Sequence, residues 1–93
     1  MNNVKVIFYN AETVDSNAFE SALISNNNYI SHIVLKPGFC FVNFRGSAKD
    51  LFCALGTVIQ EKSIIIHDLD SENNAFYGYW NRNVWTWLRN NRT

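Results

Sequence analysis

The period of apolar positions switches repeatedly between two and about three and a half along the chain, and each switch marks an element. From Val4 to Tyr9, Val4, Val6 and Phe8 alternate with Lys5, Ile7 and Tyr9, the period of a half-buried strand whose first set reads as inward. Between Asp15 and Ser25, Ala18, Phe19, Ala22 and Leu23 recur at helical spacing, with Asp15, Ser16 or Asn17 placed to cap the start. The run from Asn26 to Asn28 ends that helix. Tyr29 to Leu35 is rich in β-branched and apolar residues, and Lys36, Pro37 and Gly38 form a compact turn into Phe39 to Phe44, which predicts an antiparallel hairpin. Ser47 and Asp50 form a Ser-x-x-Asp capping box ahead of a stripe of Leu51, Phe52, Leu55, Val58 and Ile59, the start of a second helix. Gly56 weakens that helix by about 1 kcal/mol relative to Ala. Ser63 to His67, with three consecutive isoleucines, reads as a buried fourth strand. The order is βαββαβ, an α+β, ferredoxin-like two-layer sandwich.

The third strand organises the reading. Side chains alternate sides along a strand, so Cys40, Val42 and Phe44 share one face and Phe39, Phe41 and Asn43 the other. The pattern predicts both helices on the face formed by Val6, Phe8, Val42, Phe44, Ile64 and Ile66. It leaves Phe39 and Phe41 on the opposite face, with Tyr9 beside them. Two adjacent phenylalanines there call for a covering element or a flat ligand, because a soluble monomer rarely leaves a large apolar patch bare.

Gly38, Phe39, Cys40, Phe41, Val42, Asn43 and Phe44 resemble the RNP1 signature of the RNA recognition motif, which runs basic, Gly, aromatic, Gly or Ala, aromatic, aliphatic, any, aromatic. Pro37 stands where that family has Lys or Arg, with Lys36 adjacent, and Cys40 stands for the small residue. The companion RNP2 strand would be Val6 to Asn10, with Ile7 where an aromatic stacks. The resemblance implies a single-stranded RNA platform of Phe39, Phe41 and Tyr9, with Asn43 on the same sheet and Lys5, Lys36 and Arg45 near phosphates.

After residue 72 the composition changes. Phe76, Tyr77, Tyr79, Trp80, Trp85 and Trp87 crowd together, and every charge after Glu72 is an arginine. The chain thus divides into a domain over residues 1–72 and an aromatic, Arg-rich segment over 73–93 that docks on it. As a helix from about Asn81 to Asn90, this segment places Trp80, Val84, Trp87 and Leu88 on the docking side. Arg82, Trp85, Arg89 and Arg92 fall on the other, an arginine stripe suited to phosphates and bases or to a protein partner.

Length and charge bound these readings. Ninety-three residues make one core, and a formal net charge of +0 gives no general attraction to nucleic acid. Cys40 and Cys53 read as reduced, buried small hydrophobes. No apolar run reaches membrane-spanning length and Met1 leads straight into a strand, so the expected setting is cytoplasmic, with no membrane partner. Asp68, Asp70 and Glu72 alternate as carboxylates around a cation would, but without the glycine of a calcium loop they read as a solvated acidic loop. His32 and His67 lie in different strands with no motif around them. No catalytic residue, metal or cofactor is expected. Two classes stay open: an RNA binder of the RNA recognition motif type, and a protein-binding inhibitor or adaptor that uses the Trp and Arg segment, with a homodimer as a further option. Fourteen asparagines in so small a chain resemble the composition of phage or mobile-element products.

Overall fold

The alternating segments form strands and the segments of helical period form helices, in a computed structural model that describes residues 3–59, 62–69 and 82–91. In chain order these are β1 (Val4–Tyr9), α1 (Ser16–Ile24), β2 (Tyr29–Lys36), β3 (Phe39–Phe44), α2 (Ala48–Leu55) running into a 3-10 turn (Gly56–Ile59), β4 (Ile64–Asp68) and α3 (Arg82–Asn91). The four strands make one sheet in the order β2-β3-β1-β4, every neighbouring pair antiparallel. The fold is α+β, with α1 and α2 packed on one sheet face as a two-layer sandwich and α3 on the other.

Local chemistry starts α1 and α2 where the sequence indicates. The Asp15 side chain accepts the Asn17 N–H and caps α1. Ser47 and Asp50 close a reciprocal capping box at α2, satisfying two amides that the helix itself leaves without partners. Gly38 closes the β2–β3 turn at φ +89°, and a Cβ there would lie 2.4 Å from the Tyr9 carbonyl oxygen. The same approach lets the Tyr9 N–H donate to the Gly38 carbonyl at 2.8 Å, so a glycine at this point joins the hairpin to β1.

The main core lies between the sheet and α1/α2. Ile7, Cys40, Val42 and Phe44 from the strands meet Phe19 and Leu23 of α1, Leu51 and Leu55 of α2, and Ile59. Full burial of each large apolar side chain contributes about 1.5–3 kcal/mol gross. Ile64 and Ile66 of β4 pack against this core, while Ile65 is exposed. The alternation therefore places β3 and β4 on the expected faces.

It misplaces β1 by one residue. Ile7 and Tyr9 face α1 and α2, and Val4 and Val6 belong to the cluster under α3. Phe8, expected in the core, stacks on Phe39, and Tyr9, expected beside Phe39 and Phe41, packs instead on Phe19. The physical cause is that both faces of β1 are covered, so a Val-Lys-Val-Ile-Phe-Tyr strand holds apolar residues on each side and alternation cannot rank them. Lys5, the one polar residue of the six, is 1% exposed on the α1/α2 side. Its ammonium donates to the carbonyls of Asn3 and Phe44, both at 3.0 Å, and lies 3.4 Å from Asp68 Oδ1. The other Asp68 oxygen accepts the first N–H of α2 at Ala48, so one carboxylate ties β4 to both the buried cation and the helix start.

This arrangement makes Lys5 structural. Lys5→Ala should lose about 2–4 kcal/mol of unfolding free energy, from the stem's packing and the carbonyls left without a donor, whereas Lys5→Met should cost distinctly less; urea titration of both variants measures this, and equal losses would contradict the account. The capping box has its own signature. A hydrogen bond from the Ser47 amide, assisted by the Ser47 hydroxyl, holds the Asp50 carboxyl below its ordinary range. Its contribution is therefore full above the unfolded value near pH 4 and is lost as pH falls through the lowered one. Ser47→Ala should cost about 1 kcal/mol at neutral pH, and the difference from the parent should narrow in acid titrations followed by circular dichroism.

Candidate functional site

The sheet face away from α1 and α2 is built in three cross-strand rows. Val4 pairs with Asn43, which pairs with Ser31; Val6 pairs with Phe41, which pairs with Ile33; and Phe8 pairs with Phe39 at the end nearest the β2–β3 turn. This is the face on which Phe39 and Phe41 were expected, and β3 places both there. Their fates differ: Phe41 is buried in the cluster under α3, whereas Phe39 is half-buried at the margin of that cluster.

Over those rows Val84 and Leu88 of α3 are buried against Val4, Val6 and Phe41. Trp87 stacks on Phe41, centroids 6.4 Å apart and planes 21° apart, and Phe41 is 8% exposed. Asn91 anchors the end of the helix: its Oδ1 accepts from Ser31 Oγ and Asn43 Nδ2, both at 2.9 Å, and its Nδ2 donates to the Trp87 carbonyl. Among the described residues, Asn43 Oδ1 and Trp87 Nε1 are buried without a hydrogen-bond partner.

Among the described residues no helix lies over the third row, where Phe8 is exposed and Phe39 half-buried. Phe8 and Phe39 stack on each other with centroids 4.6 Å apart and planes 8° apart. Phe8 is 47% exposed and its β4 neighbour Ile65 67% exposed. Together with Tyr9, Asn10, Lys36, Pro37, Gly38, Ser63 and Ile64 they line an apolar surface groove of about 580 Å³. One cation, Lys36, stands at its rim.

The residues singled out from the sequence therefore scatter. Phe39 and Lys36 are at the groove, whose lining also includes Tyr9. Phe41 is under α3, and Asn43 is spent on Asn91. Lys5 is buried on the other side of the sheet and bonded to chain carbonyls, and Tyr9 is also on that side, its hydroxyl 3.0 Å from Ser16 Oγ. Arg45 is exposed at the far end of β3 from Lys36. On α3, Arg82 and Arg89 are exposed, but Trp85 is half-buried against the α3 cluster instead of standing free in a stripe. Arg92, Trp80, Phe76, Tyr77, Tyr79, Asp70 and Glu72 lie outside the described residues. Sequence reasoning missed Phe8, whose place beside Phe39 becomes visible only once the face of β1 is known.

It also missed a polar chain at the β2 edge. Tyr29 Oη lies 2.7 Å from His32 Nδ1, and His32 Nε2 lies 2.8 Å from Glu20 Oε1. Burial first, and then the Glu20 carboxylate, push the Tyr29 phenol above its ordinary value, so the hydroxyl stays protonated and serves as a hydrogen-bonding group, not a nucleophile. Burial likewise pushes the Cys40 thiol up to about 12, and Cys40 is a neutral core residue at physiological pH. Cys53 is free and exposed, contrary to its reading as buried.

No protein-family model, no curated protein and no solved structure matches the chain.

The contrast between the two thiols gives a direct check on the packing. Native protein treated with iodoacetamide at pH 8 should take up one adduct, on Cys53, within minutes, and a second, on Cys40, only after denaturation. Mass spectrometry showing prompt double labelling of native protein would mean that the sheet and α1 do not enclose Cys40.

Proposed function

We propose that this chain is a small, non-enzymatic protein-binding module of the cytoplasm, built on the ferredoxin-like βαββαβ plan, which docks a partner protein in the open groove of Phe8, Phe39 and Ile65. The strand order β2-β3-β1-β4 supports that plan. One observation carries the function: among the described residues α3 lies over the Val4 and Val6 rows, while Phe8 and Phe39, whose rings already stack on each other, line an apolar groove.

That stacking favours a protein over a nucleic acid. A base platform offers the open face of each ring, but Phe8 and Phe39 each spend one face on the other, and Phe41 spends one on Trp87. The cations fit the same preference. Lys5 is enclosed, Lys36 and Arg45 stand at opposite ends of β3, and a net charge of +0 supplies little counterion release. An apolar groove with one lysine at its rim suits an apolar anchor on a protein surface, with a neighbouring carboxylate for Lys36.

The test uses the parent chain, Phe8→Lys and Phe39→Ala. Phe8 is half exposed, so Phe8→Lys should leave the melting temperature within a few degrees of the parent while abolishing capture of the same partner from a lysate of the source cells. Fluorescence anisotropy with a labelled single-stranded RNA pool at 20 mM salt should show no binding by any of the three proteins. If the parent binds RNA with a log–log salt slope near ~2, as about three phosphates at 0.7 each would give, and Phe39→Ala abolishes that binding, the groove is an RNA site and the protein-binding reading fails.

A further inference from the structure

The sheet ends in two edges, and they are defended very differently. An unpaired edge presents a row of N–H and C=O groups ready to pair with another chain, and proteins normally blunt it with bulges, lysine or proline. On β2 the defences are present. Its register to β3 is broken twice, between Tyr29 and Ser31 and between Val34 and Lys36, and it ends in Lys36 followed by Pro37. On β4 they are lacking. Five consecutive pairs to β1, from Lys5 with Asp68 to Tyr9 with Ile64, run without a shift, and Ile64, Ile65 and Ile66 carry no charge, proline or glycine.

The hydrogen-bond phase fixes what that edge presents. The Asn10 N–H donates to the Ser63 carbonyl at 3.0 Å and the Leu69 N–H to the Val4 carbonyl at 3.1 Å. In an antiparallel ladder bonded pairs alternate with non-bonded ones, so Ile65 and His67 turn their backbone groups to β1, and Ile64, Ile66 and Asp68 turn theirs outward. Among the described residues no strand pairs with that outer side. Ile65, 67% exposed, projects from the sheet face beside its cross-strand neighbour Phe8, next to that side.

We infer that β4 is the contact between two copies of this chain, pairing antiparallel about a two-fold axis at Ile66 to make one continuous eight-stranded sheet. The outward groups allow this register without adjustment. Ile66 bonds the partner's Ile66, and Ile64 bonds the partner's Asp68 on each side of the axis, giving about six intermolecular hydrogen bonds. Ile65 falls opposite the partner's His67 in the closely spaced, non-bonded position, which covers its exposed side chain. The charges agree as well. In this register Asp68 falls opposite the partner's Ile64, and Lys62 and Asp68 keep their own partners, the Thr13 carbonyl for the lysine and Lys5 with the Ala48 N–H for the carboxylate, so no like charges are brought opposite each other along β4. The outward groups of Ile64, Ile66 and Asp68 thus pair with their own copies about the axis, and a self-complementary surface is what a closed two-fold dimer requires. The contact is short, and the dimer belongs to the weak class, with a dissociation constant on the order of 1–100 µM. It shares Ile65 with the groove, but its hydrogen bonds run along the outer edge of β4 and it is read by association state, not by capture of a partner.

Sedimentation velocity of the full chain from about 1 to 200 µM should show a monomer–dimer equilibrium. Ile65→Lys, at a position exposed in the monomer, should keep the parent's melting temperature and weaken the dimer at least about tenfold. A second variant does not depend on that weakening: in a Cys53→Ser background, Ile65→Cys with His67→Cys places the two thiols opposite each other across the axis, and mild oxidation should give a covalent dimer in high yield. A chain monomeric up to 200 µM overturns the inference. So does a dimer that is unchanged by Ile65→Lys and does not cross-link through the paired cysteines, because it would then use another surface.

Discussion

A sheet has two faces, and among the described residues two helices and a 3-10 turn lie on one of them and a single short helix on the other. Four strands at about 4.8 Å spacing and six residues at about 3.3 Å give a face of roughly 19 by 20 Å. The ten residues of α3 make a rod about 15 Å long and 10 Å wide, which covers well under half of that area. The other face takes α1, α2 and the 3-10 turn. The split of the outer face into a covered part and an open groove follows from this mismatch, and so does the difference between Phe41 and Phe39, two residues apart on one strand.

The same constraint decides which parts of the fold were legible in the sequence. Helix starts are local chemistry, and Asp15 and the Ser47 and Asp50 box can be read without knowing what surrounds them. β3 was legible because Cys40, Val42 and Phe44 differ enough from Phe39, Phe41 and Asn43 to rank the faces. β1 was not, because covering both faces removes the contrast that alternation depends on, and a slip of one residue exchanges the faces completely. Lys5 deepened the error: a lysine normally marks the solvent side, yet here the ammonium reaches two carbonyls and Asp68 at the sheet's end while its stem stays in the core.

The candidate site inherits that error. The phenylalanines of β3 were found from the chain alone, but the partner of Phe39 is Phe8 and not Tyr9, a fact that lives in the β1 register. The helical character of the C-terminal segment and the burial of Val84 and Leu88 were legible from their spacing. The role of Asn91 was not, since a terminal asparagine in a chain with fourteen of them carries no signal until Ser31 and Asn43 are brought to it.

Asn91 matters because the cover it anchors is not strongly held by apolar burial alone. Val84 and Leu88 contribute about 1.5–3 kcal/mol each when enclosed, and the Trp87 and Phe41 stack about 0.5–1.5 more. Against this, the enclosed Asn43 Oδ1 and Trp87 Nε1 each cost about 1–3 kcal/mol of lost hydration. The terms are of similar size, so the described contacts of α3 are much closer to balance than those of α1 or α2, whose sides of the core contain no orphaned polar atom among the described residues. The fork from Asn91 to Ser31 and Asn43 then sets where the helix lies, because it fixes α3 over the Val4 and Val6 rows by direction, which apolar contact cannot do. Holding it there centres α3 on the rows of Val4 and Val6 and not on that of Phe8, so the groove beside Phe8 reflects one asparagine's geometry as much as the sheet beneath it.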